Sequence, residues 1–190
     1  PIQRFGTAKV TPPPGAFLQA TPHGEASLVE AVNEAVGEAR HVMDLFAGCG
    51  TFSLPLAQKS EVHAIEGDAA MTAALDQGWR MSKGLKPVTT ETRDLFRRPL
   101  LPDEMSKIDA VVLDPPRAGA EAQVAEIAKA MPPVVAYVSC NPVTFSRDAA
   151  TLVSAGYSLD WIQVVDQFRW SSHVELVARF TAPEVARKRR

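Results

Sequence analysis

The chain has 190 residues, 46% of them hydrophobic and 22% charged, and a formal net charge of −2. That balance fits one soluble globular domain able to bury a core, and it excludes collagenous, disordered and bilayer-spanning chains. Near-neutral charge also argues against a domain that holds nucleic acid by electrostatics alone.

In chain order, Pro12-Pro13-Pro14-Gly15 breaks the backbone ahead of Ala16-Phe17-Leu18-Gln19-Ala20-Thr21, and a helix is predicted over about 25–39. From residue 41 short β-branched runs recur at 41–46, 61–66, 87–92, 108–114, 134–140, 157–165 and 173–180. The segments between the first six read as helices. Over 69–83 Met71, Ala74, Leu75 and Trp79 share a face, as do Val124, Ile127 and Ala130 over 120–130. Strands alternating with helices predict an α/β, Rossmann-like sheet of seven mostly parallel strands. The last two runs lie close enough to form a hairpin, so the final strand is expected to be antiparallel.

No linker divides the chain. Residues 1–40 read as a segment and helix packed on a domain at 41–182, followed by a basic tail at 183–190 that ends Arg187-Lys188-Arg189-Arg190. Residue 1 is proline, so a piece of a longer polypeptide is expected. Cys49 and Cys140 are too few for a disulfide scaffold and form no CxxC pair, so free thiols without a metal site are expected. With no secretory pattern or membrane span, the expected setting is cytoplasmic.

Three segments carry candidate chemistry. Asp44-Leu45-Phe46-Ala47-Gly48-Cys49-Gly50 joins a strand to a helix near Thr51, where Gly48 and Gly50 let backbone approach a ligand and the helix start offers N–H groups to an anion. Glu66 ends the next strand, where a carboxylate can accept bonds from ribose hydroxyls. The turn lacks a third glycine, which favours a cofactor smaller than a dinucleotide, such as S-adenosylmethionine. Asp114-Pro115-Pro116-Arg117 closes the fourth strand, and its prolines stiffen the exit. Taken alone, it fits a rigid loop with a solvated carboxylate equally well. Cys140 ends the fifth strand within Ser139-Cys140-Asn141-Pro142. Free cysteines are mostly buried and inert, but this one sits at a strand end, has polar neighbours and leads into a helix start that favours a thiolate. Cys49 keeps the inert reading. His173-Val174-Glu175 opens the last strand, where Glu175 is either an edge charge or a base near the thiol.

In this order the segments resemble the RNA uracil-5 methyltransferases, which make 5-methyluridine in transfer and ribosomal RNA. The resemblance runs from about Phe17 to Phe180 and includes Phe17-Leu18-Gln19, Asp114-Pro115-Pro116-Arg117-Ala118-Gly119 and Ser139-Cys140-Asn141-Pro142 with Arg147-Asp148. It implies S-adenosylmethionine as methyl donor, with Gln19, Phe46, Thr51, Glu66 and Asp114 lining its site and Asp94 a further contact. It also implies Cys140 as nucleophile at uracil C6 and Glu175 as the base that removes the C5 proton. An ordinary thiol is little ionised at neutral pH, so the site is expected to lower its pKa or to couple addition to proton transfer. The implied partner is RNA, ribosomal or transfer, presented to a monomeric enzyme with help from upstream RNA-binding domains of the same polypeptide and with no membrane. The segment Phe168-Arg169-Trp170-Ser171-Ser172 departs from many relatives, which have proline and threonine there, and Thr51 stands where asparagine is frequent. Two alternatives remain. One is a methyltransferase acting on another nucleophile with Cys140 structural; the other is a catalytically inactive adaptor.

Overall fold

The computed structural model describes residues 2–19, 21–165 and 174–184. At its centre lie β3 (His41–Leu45) and β6 (Ala110–Leu113), buried almost end to end. Such continuous apolar runs suit strands covered on both faces. Around them a seven-stranded sheet forms with β4 (Glu61–Glu66), β5 (Val88–Thr92), β7 (Val134–Ser139), β8 (Ser158–Val165) and β9 (Glu175–Thr181), in the order β5-β4-β3-β6-β7-β9-β8. Pairings from β5 through β7 are parallel. Strand β9 runs antiparallel between β7 and β8, so the predicted sheet and its reversed final strand are both present.

Alternate residues of each strand face opposite layers. Leu45, Val111, Leu113, Val135 and Tyr137 join one apolar cluster with Val124, Ile127, Phe145 and Leu152, on α4 (Glu121–Ala130) and α5 (Pro142–Ser154). Val42, Val62, Val112, Ala136 and Val138 join the other. There Leu28, Ala31, Val32 and Ala35 come from α1 (Pro22–Val36), and Leu75 from α3 (Ala69–Arg80).

Local chemistry moves several predicted boundaries. Helix α1 starts a turn earlier than 25–39, because Thr21 accepts the Gly24 N–H and Pro22 tolerates the first helical position; Gly37, at φ 60°, ends it. After the glycine turn only α2 (Ser53–Leu56) forms, since Pro55 lacks the N–H needed to extend it. The anticipated helix between β5 and β6 is instead a loop with one 3-10 turn, Pro102–Met105. A hairpin of β1 (Gln3–Phe5) and β2 (Ala8–Val10) was not anticipated; it packs Phe5 and Val10 against Leu54 and Ala74. His173, the segment 168–172 and the basic tail 187–190 lie outside the described residues. No helix among the described residues is long and apolar enough to cross a membrane.

Candidate active site

A cavity of about 490 Å³ opens at the carboxyl ends of β3, β4, β6 and β7, where open α/β sheets bind ligands. Gln19, Phe46, Gly48, Thr51, Glu66, Asp94, Asp114, Cys140 and Glu175 all line it. The sequence-derived site residues therefore converge, with one correction. Gly50 does not line the cavity: its φ is +96°, and an added Cβ would lie 2.9 Å from Leu75 and 3.0 Å from Leu54. Its smallness lets the turn pass closely over the core.

The turn itself begins under strain. Phe46 leaves β3 with φ 63°, a left-handed conformation that costs a non-glycine residue about 1–2 kcal/mol. Its ring lies 5.4 Å from that of Phe96, centroid to centroid, tilted by 54°. Gly48 follows at φ +54°, and an added Cβ there would meet nothing within 4 Å. The Gly48 N–H donates to Glu66 Oε2 at 2.9 Å, while Oε1 accepts the Asp68 N–H at 3.0 Å. Gly48 thus gives its N–H to a carboxylate of the chain itself, and the helix that follows the turn is only one turn long.

Below the turn Asp44 is fully buried. Its Oδ2 accepts the Ser53 hydroxyl at 2.5 Å, while Oδ1 has no hydrogen-bond partner among the described residues. Burial pushes its carboxyl up to about 7, with Ser53 opposing and Glu66 adding to the shift. Asp114 is raised well above the ordinary range by burial and by Glu175, Asp44 and Glu66. Asp94 uses Oδ1 to accept the Phe96 and Arg97 N–H groups, which folds its loop around the rim.

Cys140 and Glu175 meet through strand register. The antiparallel ladder between β7 and β9 ends at Ser139 opposite Leu176, so one further step opposes Cys140 and Glu175. Their side chains thereby reach the same rim from sequence-distant strands. Cys140 is a half-buried free thiol. Burial raises its pKa, Glu175 and Asp114 add to that, and Arg117 opposes it. Burial first, then Glu175 and Asp114, raise this thiol more than Arg117 lowers it, so of the two expected routes it is coupled proton transfer, not a lowered pKa, that the surroundings favour. Burial also raises Glu175. Cys49 is buried, its thiol pushed up to about 11, in keeping with an inert role.

Sequence reasoning did not assign Phe96, Met71, Arg93 or Arg117 to the site, although all four line the cavity. For Phe96 the sequence signal was its place two residues after Asp94. Arg93 gave none, since it is committed to Glu104 at 2.7 Å and to the carbonyls of Arg98 and Pro99.

The chain is similar to several known proteins. The tRNA (uracil-5-)-methyltransferase family description matches residues 13–179. A Mesorhizobium japonicum protein named as an uncharacterized RNA methyltransferase is 55% identical over 183 residues, covering 96% of this chain and 44% of the relative. The 23S rRNA (uracil(1939)-C(5))-methyltransferase RlmD of Halomonas elongata is 38% identical over 187 residues, covering 92% of this chain and 38% of the relative. Among solved structures, Pyrococcus abyssi tRNA (uracil-54, C5)-methyltransferase in complex with S-adenosyl-L-homocysteine superposes with a TM-score of 0.80 at 29% identity, covering 95% of this chain and 44% of that one. The chain thus spans less than half the length of these relatives.

Proposed function

Because the chain belongs to the tRNA (uracil-5-)-methyltransferase family, we propose that it is the catalytic part of an S-adenosylmethionine-dependent enzyme that methylates uridine C5 in RNA. Cys140 is the nucleophile and Glu175 the base. The observation that carries this reading is the register of β7 and β9, which brings the one half-buried free thiol and a carboxylate to a common rim.

The residues present fit the cofactor. A cavity near 490 Å³ is of small-molecule size. Glu66 offers lone pairs to ribose hydroxyls, Phe46 and Phe96 supply aromatic faces, and the open space over Gly48 admits close approach to backbone. Glu66, Asp114 and Glu175 line the cavity with carboxyl groups, and a bound cationic donor would favour their charged forms. S-adenosylmethionine supplies an electrophilic methyl group on a sulfonium centre.

The chain's own part is covalent catalysis. Uracil C5 is a weak nucleophile. The Cys140 sulfur adds to C6, forming an S–C6 bond and moving the C5=C6 electron pair onto C5 and the adjacent carbonyl oxygen. After C5 has gained its methyl group, Glu175 takes the C5 proton. The released electron pair re-forms C5=C6, the S–C6 bond breaks and the thiolate returns. The raised Glu175 pKa makes it a better base, and a Cys140 that holds its proton passes it, as the sulfur adds, to the uracil carbonyl oxygen that takes up the electron pair, from which it leaves when C5 takes the methyl group. The RNA read as substrate is ribosomal, since identity is 38% to the relative named for 23S rRNA and 29% to the structure named for tRNA.

RNA carrying 5-fluorouridine cannot lose a C5 proton, so it should stall the reaction as a covalent adduct. Wild type and Cys49→Ala are expected to trap such RNA in the presence of S-adenosylmethionine, and Cys140→Ala is not. Trapping that survives Cys140→Ala would sink the assignment. Competition between 23S and transfer RNA fragments bearing the analogue decides the substrate.

A further inference from the structure

The loop after Asp114 and the turn holding Cys140 are stitched together by α5. Asn141 Nδ2 and Thr144 Oγ1 both donate to the Arg117 carbonyl, at 2.9 and 3.1 Å. Arg147 Nη2 donates to the Ala118 carbonyl at 3.1 Å. Asp148, only 1% exposed, accepts the Ala120 N–H at 2.8 Å and the Tyr137 hydroxyl at 2.5 Å on Oδ2, and Arg147 Nε at 2.9 Å on Oδ1. Gly119 passes between them at φ +76°, where an added Cβ would lie 2.7 Å from Arg147 Nη2 and 2.8 Å from Asp148 Oδ2.

We infer that Asp148 is a positioning residue for the proposed reaction, fixing Asp114 and Cys140 relative to each other from inside α5. Neither Asp148 nor Tyr137 lines the cavity, so neither touches the reacting atoms. A buried carboxylate is costly to desolvate, and its neighbours Phe145, Ala149 and Leu152 belong to an apolar layer that a hydrophobic side chain could extend. What the carboxylate adds is direction. It takes hydrogen bonds from three residues, on β7, on the 114–120 loop and on α5, and those segments hold the two sides of the site. Tyr137 lies three residues before Cys140 on the same strand; Ala120 closes the loop that Asp114 opens.

The inference rests on the uracil methylation reading, but it can be tested without RNA. The groups facing Cys140 are Glu175 from β9 and Asp114 and Arg117 from the loop. The rate of Cys140 alkylation by iodoacetamide is followed by peptide mass spectrometry from pH 6 to 10 for wild type, Asp148→Asn and Tyr137→Phe, below each variant's melting temperature. Releasing the loop should admit water and move Asp114 away. The alkylation midpoint should therefore fall, with the rate at neutral pH rising about threefold or more. S-adenosylhomocysteine affinity should fall as well, because the released loop carries Asp114, which lines the cofactor cavity. An unchanged midpoint in a folded variant overturns the inference. If Asp148→Asn does not fold, Tyr137→Phe, which loses one hydroxyl, decides it. In parallel, both variants should form the 5-fluorouridine adduct about ten to a hundred times more slowly than wild type. Failure of wild type to form any adduct counts against the uracil reading alone, since the alkylation result stands without it.

Discussion

Glu66 holds Gly48 by a 2.9 Å hydrogen bond, so the carboxylate facing the cavity is also the strut that supports the glycine turn. With Oε1 taken by the Asp68 N–H, the side chain is oriented before any ligand arrives. Glu66→Ala should weaken S-adenosylhomocysteine binding by about 1–3 kcal/mol, measured calorimetrically. Glu66→Gln should not fully restore it, because an amide accepts on one side only and would face one N–H with its own. Full affinity in either variant would remove Glu66 from the site.

The two turn glycines should separate binding from stability. At Gly50 a methyl group collides with Leu54 and Leu75 at a φ of +96°, so Gly50→Ala should cost about 2 kcal/mol or more in thermal or urea unfolding. At Gly48 the methyl group meets open space, leaving mainly the left-handed backbone cost of about 1–2 kcal/mol. Gly48→Ala should instead lose cofactor affinity, since its methyl group occupies the approach to the backbone. Equal unfolding penalties for the two variants would contradict this division.

Asp44 gives folding a pH dependence with a definite sign. Its carboxyl lies at about 7 in the folded chain against an ordinary 3.8, so the folded state keeps a proton that the unfolded state releases. The resulting stability is fully present below about pH 4 and is lost as pH rises through about 7. Asp44→Asn should flatten that decline, an effect on the order of a few kcal/mol across the range. Melting temperatures at pH 5 and pH 8 measure it. A wild-type difference that Asp44→Asn leaves untouched would assign the decline to other groups.

Glu175→Gln should still add to uracil and receive the methyl group at C5, yet fail to remove the proton. Covalent enzyme–RNA complex should then accumulate with ordinary uridine RNA and appear on a denaturing gel after S-adenosylmethionine is added. If none accumulates while Cys140 still reacts with the fluorinated analogue, another group is the base.

Sheet and site were unequally legible in the sequence. The strands announced themselves because runs such as Ala110-Val111-Val112-Leu113 are buried on both faces and leave no room for polar residues. Strand ends pointed to Asp114, Cys140 and Glu66, since a parallel sheet gathers its carboxyl ends on one side. Helix lengths were less visible, because Pro55 and Gly37 act through single hydrogen bonds or a single φ angle. The β1–β2 hairpin has only three residues per strand, too few for alternation to register. The nearness of Cys140, Asp114 and Glu175 was legible from their strand-end positions, but the direction of the thiol's shift was not, because it depends first on burial, which local sequence does not display.

The reversal of β9 orders events during synthesis of the chain. Every parallel strand, the glycine turn and the thiol emerge from the ribosome before the strand that carries Glu175. Strand β8 pairs with the sheet only through β9, so the two join the edge of β7 together as an antiparallel pair. A nascent chain can therefore lay down the parallel part of its sheet first and complete the rim beside Cys140 only when that last pair docks.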